Sequence, residues 1–182
     1  RQITNSKRPI LSPDDVKGLK IRTPPAMAYQ AAIEALGGNV QTIAFGELVM
    51  AMRQGVVDGQ ENPIGVIYDL KLYESQKFIT IVNYLYSSMT HVVNKKVFDA
   101  LTEEQRKIII EESDKSRLLM RELVRKQEQD QIADMKAKGI RIDTPDLAPF
   151  QAKMGPAYEK IRKNIGEDNF DKWMEMAKAT AK

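Results

Sequence analysis

The chain has no cysteine among its 182 residues and a single histidine, His91. Disulfide frameworks, thiolate zinc sites and cysteine nucleophiles are therefore excluded. A histidine-rich metal site is excluded too, and a catalytic triad would have to rest on His91 alone. No apolar run approaches the roughly 20 residues that a membrane-spanning helix needs. Neither Gly-x-x-x-x-Gly-Lys-[Ser/Thr] nor Gly-x-Gly-x-x-Gly occurs, so nucleotide binding has no motif behind it. No Gly-x-Ser-x-Gly elbow accompanies Ser87-Ser88 near His91. The opening Arg1–Pro9 carries no signal-peptide pattern, as expected of a processed protein or of a fragment.

What is present is ordinary for a globular chain: 42% hydrophobic and 29% charged residues, with a net charge of +3. The charges alternate in sign along 115–138, which describes a solvated helix face rather than a basic stripe for nucleic acid.

Punctuation by glycine and proline divides the chain into short elements. Residues 1–5 are expected to be a strand. Ser12-Pro13-Asp14-Asp15 opens a brief helix with Ser12 as its cap. Alternation over 18–23 predicts a strand, stopped by Pro24-Pro25. Helices follow over 26–36 and 45–54, ended by Gly37-Gly38 and Gly55, with a strand at 40–43 between them. A strand from 56 runs into Asp58-Gly59-Gln60-Glu61-Asn62-Pro63, and a helix spans 63–72. This alternation is that of an α/β unit. Further strands are expected at 78–82 and across 84–94, and a short helix at 97–101. Thr102 and Gln105 form a capping box. No glycine or proline interrupts the chain from there to Lys138, which predicts one helix of about 36 residues, about 54 Å long. Its apolar positions keep no strict heptad, so a helix spanning two lobes is favoured over a coiled coil. A strand at 140–142, a helix from 143 through 165, and a terminal helix over 168–181 burying Phe170, Trp173 and Met176 complete the reading.

Few residues carry chemistry. Arg22 ends a strand, where open α/β sheets bind ligands. A guanidinium there can hold a carboxylate through two parallel hydrogen bonds, or can simply pair with a surface acid. Asn62 precedes a proline and is pushed to extended backbone, which offers its amide outward. It could equally cap the next helix. Glu61 and Asp58 could form an acid/base pair with His91, but no nucleophile, metal or cofactor motif supports an enzyme. Phe45 stands at a strand-to-helix junction, as a ligand wall or a hydrophobic staple. A third reading is a structural or adaptor protein built around the long helix.

Two segments carry a resemblance. Leu11–Pro24 (LSPDDVKGLKIRTP) and Phe45–Pro63 (FGELVMAMRQGVVDGQENP) are similar, in this order and spacing, to segments of the solute-binding proteins of TRAP (tripartite ATP-independent periplasmic) transporters, the DctP-like family. Tyr73–Phe78, Asn94–Phe98 and the long helix after Leu101 resemble that family's following stretches. The resemblance implies a type II periplasmic-binding-protein-like α/β fold. It also implies a periplasmic receptor, without cofactor or metal, that captures a small organic acid and delivers it to membrane permease subunits. On the matching positions, Arg22 would clamp the carboxylate, with Asn62, Arg1 and Phe45 also at the ligand. Met27 and Tyr86 fall in more variable ligand-facing segments.

Members have two lobes of ordinary domain size, so about the first 120 residues, most of the first lobe, would have no counterpart here. The resemblance divides this chain into a main part of the second lobe at 1–86, a stretch of the first lobe at 87–126, and a return to the second lobe at 127–182. Apolar surface left uncovered would then favour weak ligand binding, or swapping or association with another chain.

Overall fold

The structure is a computed structural model and describes residues 1–180. Six strands form one mixed sheet in the order β3-β2-β4-β1-β5-β6. They are β1 (Gln2–Asn5), β2 (Lys20–Thr23), β3 (Asn39–Thr42), β4 (Gly59–Asn62), β5 (Phe78–Thr80) and β6 (Arg141–Asp143). β2 runs parallel to both β3 and β4, whereas β1 is antiparallel to its neighbours β4 and β5. The carboxyl ends of β2, β3 and β4 and the amino end of β1 therefore meet at one end of the sheet.

Helices cover both faces, as a sheet with apolar residues on each side requires. On one face α1 (Met27–Ala35), α6 (Ala148–Ala152) and α7 (Gly155–Ile165) supply or flank a core built on Ile3, Ile21, Ile33, Leu36, Phe150 and Met154. On the other, α2 (Leu48–Arg53), α3 (Ile64–Asp69) and the end of α5 (Glu103–Ala137) close over Leu48, Ile64, Ile67, Ile79 and Met135. Gly59 is required where β4 passes β1: a Cβ there would lie 2.1 Å from the Thr4 carbonyl oxygen.

Several expectations need correction. The segment 84–94 forms no strand; it is irregular, with Met89 and Val92 almost fully exposed. Despite its β-branched and aromatic content, it pairs with no strand of the sheet. His91 is thus not in an apolar strand but exposed, bonded through Nδ1 to Ser113 Oγ at 2.6 Å. The helix expected over 143–165 is two, because the chain turns at Lys153-Met154 before Gly155-Pro156 starts α7. The turn at 13–16 is 3-10 rather than α, and the Asp15 carboxylate closes it by accepting from the Leu11 and Ser12 N–H groups. In α8 (Glu167–Thr180) only Phe170 is buried; Trp173 and Met176 are 59% and 62% exposed. Ala181, the expected end of that helix, lies outside the described residues.

The long helix is confirmed at 35 residues, with both halves of its capping box formed. Met135 is its one buried residue. Tyr68 donates to Asp134 at 2.8 Å, and Lys138 pairs with Asp134 while lying over the Tyr68 and Tyr73 rings. The last turns of α5 therefore anchor it, and the rest projects with Ile108, Ile110, Leu118, Leu119, Met120 and Val124 more than half exposed.

Candidate functional site

The site grows from the sheet's carboxyl end. Arg22 occupies β2, one residue from its end, and only 1% of its surface is exposed. Its Nε donates to the Ile43 carbonyl at 2.8 Å, just beyond β3. Its Nη2 is buried with no hydrogen-bond partner. No acid pairs with Arg22 among the described residues, so the surface ion-pair alternative fails. Burial pulls its pKa down, Glu61 opposes that and Arg1 adds to it. Leaving a buried charged donor unmet costs more than the ~1–3 kcal/mol of a neutral one.

Asn62 ends β4 and is 3% exposed. Arg1, directly before β1, reaches the same place. Its Nη2 donates to Asn62 Oδ1 at 2.8 Å and to the Glu61 carbonyl at 2.9 Å, while its Nε pairs with the Glu61 carboxylate. Glu61 is completely buried. The Arg1 guanidinium also lies 5.0 Å from the centre of the Tyr29 ring on α1. The Tyr84 hydroxyl is buried without a partner, and burial, then the neighbouring Glu61, push its pKa well above the usual phenol value. Of the two guanidiniums at this end of the sheet, only that of Arg1 pairs with the Glu61 carboxylate. Glu61 neutralises Arg1, and the positive charge of Arg22 remains uncompensated.

The other expected residues surround this end with varying closeness. Met27 begins α1 just after β2, half-buried, and Phe45 begins the 3-10 turn after β3 with 54% of its surface exposed. Phe45 is no staple in a closed core; it is an open aromatic beside the Ile43 carbonyl that Arg22 uses. Tyr86, 82% exposed, shares with Arg1 a hollow of about 370 Å³ lined also by Pro63, Ile64, Asn83 and, from α5, Gln131. Arg22, Met27 and Phe45 do not line it.

Asp58 and His91 do not join Glu61. Asp58 sits at the opposite end of β4, where its carboxylate accepts from the Lys20 N–H at 2.9 Å and pairs with Lys7. It fastens β2 to β4. With His91 on the projecting segment, no acid/base/histidine set is assembled. No group of three or more potential metal-ligating residues occurs among the described residues. Sequence reasoning missed the Arg1–Glu61 pair and the tyrosines around it, because only the antiparallel register of β1 on β4 brings positions 1 and 61 together.

This end of the sheet presents one buried guanidinium with an unpartnered Nη2 and one fixed amide. Residues 1–164 match the model of the bacterial extracellular solute-binding protein family 7, and the chain belongs to that family. It is 36% identical over 168 residues to a solute-binding protein of Verminephrobacter eiseniae, covering 92% of this chain and 50% of that protein. It is 31% identical over 164 residues to the sialic acid-binding periplasmic protein SiaP of Vibrio cholerae, covering 90% and 51%. A TRAP periplasmic solute-binding protein of Polaromonas sp. JS666, solved with D-erythronate, superposes with a TM-score of 0.86 at 33% identity, over 93% of this chain and 56% of that one. The chain therefore spans about half the length of the relatives it matches. These relatives are solute-binding proteins of transport, not enzymes, and the expected α/β fold and family both hold.

Proposed function

We propose that this chain supplies the carboxylate-gripping half of a periplasmic TRAP receptor for a small organic acid. The observation that carries the proposal is the buried, unpartnered Nη2 of Arg22. A ligand carboxylate placed there meets a charge-assisted donor already held by the Ile43 carbonyl, so little side-chain ordering is left to the binding step. Asn62 and Arg1 define the neighbouring wall, Phe45 and Met27 offer apolar cover, and Tyr86 stands further out. The sialic acid and D-erythronate of the two named relatives are both polyhydroxylated acids, and that class suits this polar end.

We further assign 1–86 and 127–182 to one lobe and 87–126 to a second lobe completed by other polypeptide. Support comes from the exposed apolar side chains of 86–124, among them Tyr86, Met89, Val92, Leu118 and Val124. Closure of the two lobes on the acid would exclude water and strengthen each contact, and the closed receptor would hand the acid to membrane permease subunits.

The test is a thermal-shift screen of the full-length protein against N-acetylneuraminate, D-erythronate and related acids. At least one acid is expected to raise the melting temperature, and Arg22→Gln to abolish that rise while leaving the ligand-free melting temperature near the parent's. An undiminished rise in Arg22→Gln contradicts the proposal.

A further inference from the structure

We infer that Gln60, Thr4 and Gln76 are positioning residues, forming a one-way hydrogen-bond relay that sets the amide of Asn62 as a donor toward the ligand. The inference rests on the carboxylate-receptor reading above and adds residues that touch no ligand themselves.

Arg1 Nη2 donates to Asn62 Oδ1 at 2.8 Å, and Asn62 Nδ2 donates to Gln60 Oε1. Gln60 Nε2 donates to Thr4 Oγ1 at 3.0 Å. The Thr4 hydroxyl donates to Gln76 Oε1, also at 3.0 Å, and Gln76 Nε2 donates to the Ser75 carbonyl at 3.1 Å. The direction of this chain is not a matter of choice. A guanidinium has no acceptor, and a peptide carbonyl has no donor. With an obligate donor at one end and an obligate acceptor at the other, each amide in between can face only one way.

The side chains between the two ends of the relay are buried. Thr4 and Gln60 are 0% exposed, Gln76 is 1% and Asn62 3%. Chains of hydrogen bonds in such surroundings polarise one another, and an unmet member is costly. The sheet register makes the relay: Thr4 lies opposite Gln60 across β1 and β4, and Arg22 is in register with Gln60 across β2 and β4. Cross-strand partners share a face, so Arg22, Gln60 and Asn62 all lie on one side of the sheet.

The consequence concerns specificity. With Oδ1 turned to Arg1 and one N–H spent on Gln60, Asn62 keeps one N–H to offer. Beside the Arg22 guanidinium, which is also donor-only, the site asks for ligand oxygens that accept from both. Ammonium or amide N–H groups at that position would meet only other donors.

The experiment uses the full-length protein, with the acid from the screen that stabilises it most as probe. Thr4→Val keeps the side-chain shape and removes both relay functions; Thr4→Ser restores the hydroxyl. Thr4→Val is expected to weaken affinity by roughly two- to tenfold, the weight of one net hydrogen bond, and Thr4→Ser to recover it. In the ligand-free protein, Thr4→Val is expected to shift the side-chain amide signals of Asn62 as well as those of Gln60. Asn62 is one link beyond the residue Thr4 contacts, so a merely structural threonine would not move it. Unchanged affinity with unmoved Asn62 signals in a folded Thr4→Val variant overturns the relay. If in the same experiment Arg22→Gln loses binding, the receptor reading survives that outcome. If Arg22→Gln binds normally the receptor reading falls, and the Asn62 signals alone decide the relay.

Discussion

Two regions of this molecule treat apolar residues in opposite ways. Around the sheet, Ile3, Ile21, Ile33, Ile79 and Leu48 are completely buried between helices. From Tyr86 to Val124, residues of the same chemical kind stand exposed along an irregular segment and one side-on helix, with Met89 at 94%. Composition does not separate the regions, but partners do. The sheet region packs against itself, strand on strand and helix on sheet, much of it between elements far apart in sequence. The projecting region carries apolar side chains with no second layer to cover them.

The comparison can be sharpened by paired substitutions. The largest contrast is expected between charges. Removing Glu61 leaves the nearly buried guanidinium of Arg1 uncompensated, and Glu61→Ala should cost about 4 kcal/mol of unfolding free energy. Glu111→Ala on the projecting helix breaks only an exposed pair with Lys107 and should leave urea-unfolding midpoints unchanged. Equal effects of the two would erase the distinction.

Next comes packing along the single long helix. Met135→Ala removes the one side chain of α5 that is buried, and should cost about 3 kcal/mol. Leu118→Ala, at a position 59% exposed, should cost under about 0.5 kcal/mol in this chain. In the longer protein the Leu118 substitution should become distinctly more costly, as measured by the same unfolding curves. A Leu118 effect that stays negligible there would show that nothing covers this face.

The smallest expected effect is of pH on the sheet region. Backbone N–H groups of Leu11 and Ser12 hold the Asp15 carboxyl below its ordinary value of 3.8, with Leu11 the larger influence. A depressed folded-state pKa stabilises above the unfolded value, and that stability fades as pH falls through the folded value. The melting temperature should therefore decline below about pH 4, and less steeply in Asp15→Asn.

The same contrast explains what the sequence could disclose. Strands β1 to β6 and the long helix were legible because glycine, proline and alternation mark where elements start and stop. The segment 84–94 misled because β-branched and aromatic residues signal a need for burial, not the element that will meet it. Trp173 and Met176 misled in the same way on α8. Of the site, Arg22, Asn62, Arg1 and Phe45 came into view only through the family resemblance; position alone favoured a surface ion pair for Arg22 and left a cap for Asn62 or a staple for Phe45 equally open. The geometry adds what motifs could not: Arg22 keeps a buried, unspent donor in Nη2, whereas Arg1 spends Nε and Nη2 on Glu61 and Asn62. Thr4 and Gln76 carry no motif, and 72 residues separate them. Only the antiparallel packing of β1 between β4 and β5 makes them neighbours.

The central claim is that Arg22 holds its free donor for a ligand carboxylate. A crystal structure of the full-length protein with its acid bound tests this most directly. The account predicts a carboxylate oxygen about 2.8 Å from Arg22 Nη2, with the Ile43 carbonyl still on Nε and Asn62 donating to a ligand oxygen. A bound acid whose carboxylate lies elsewhere, with Nη2 still unpartnered or satisfied by protein, would contradict it.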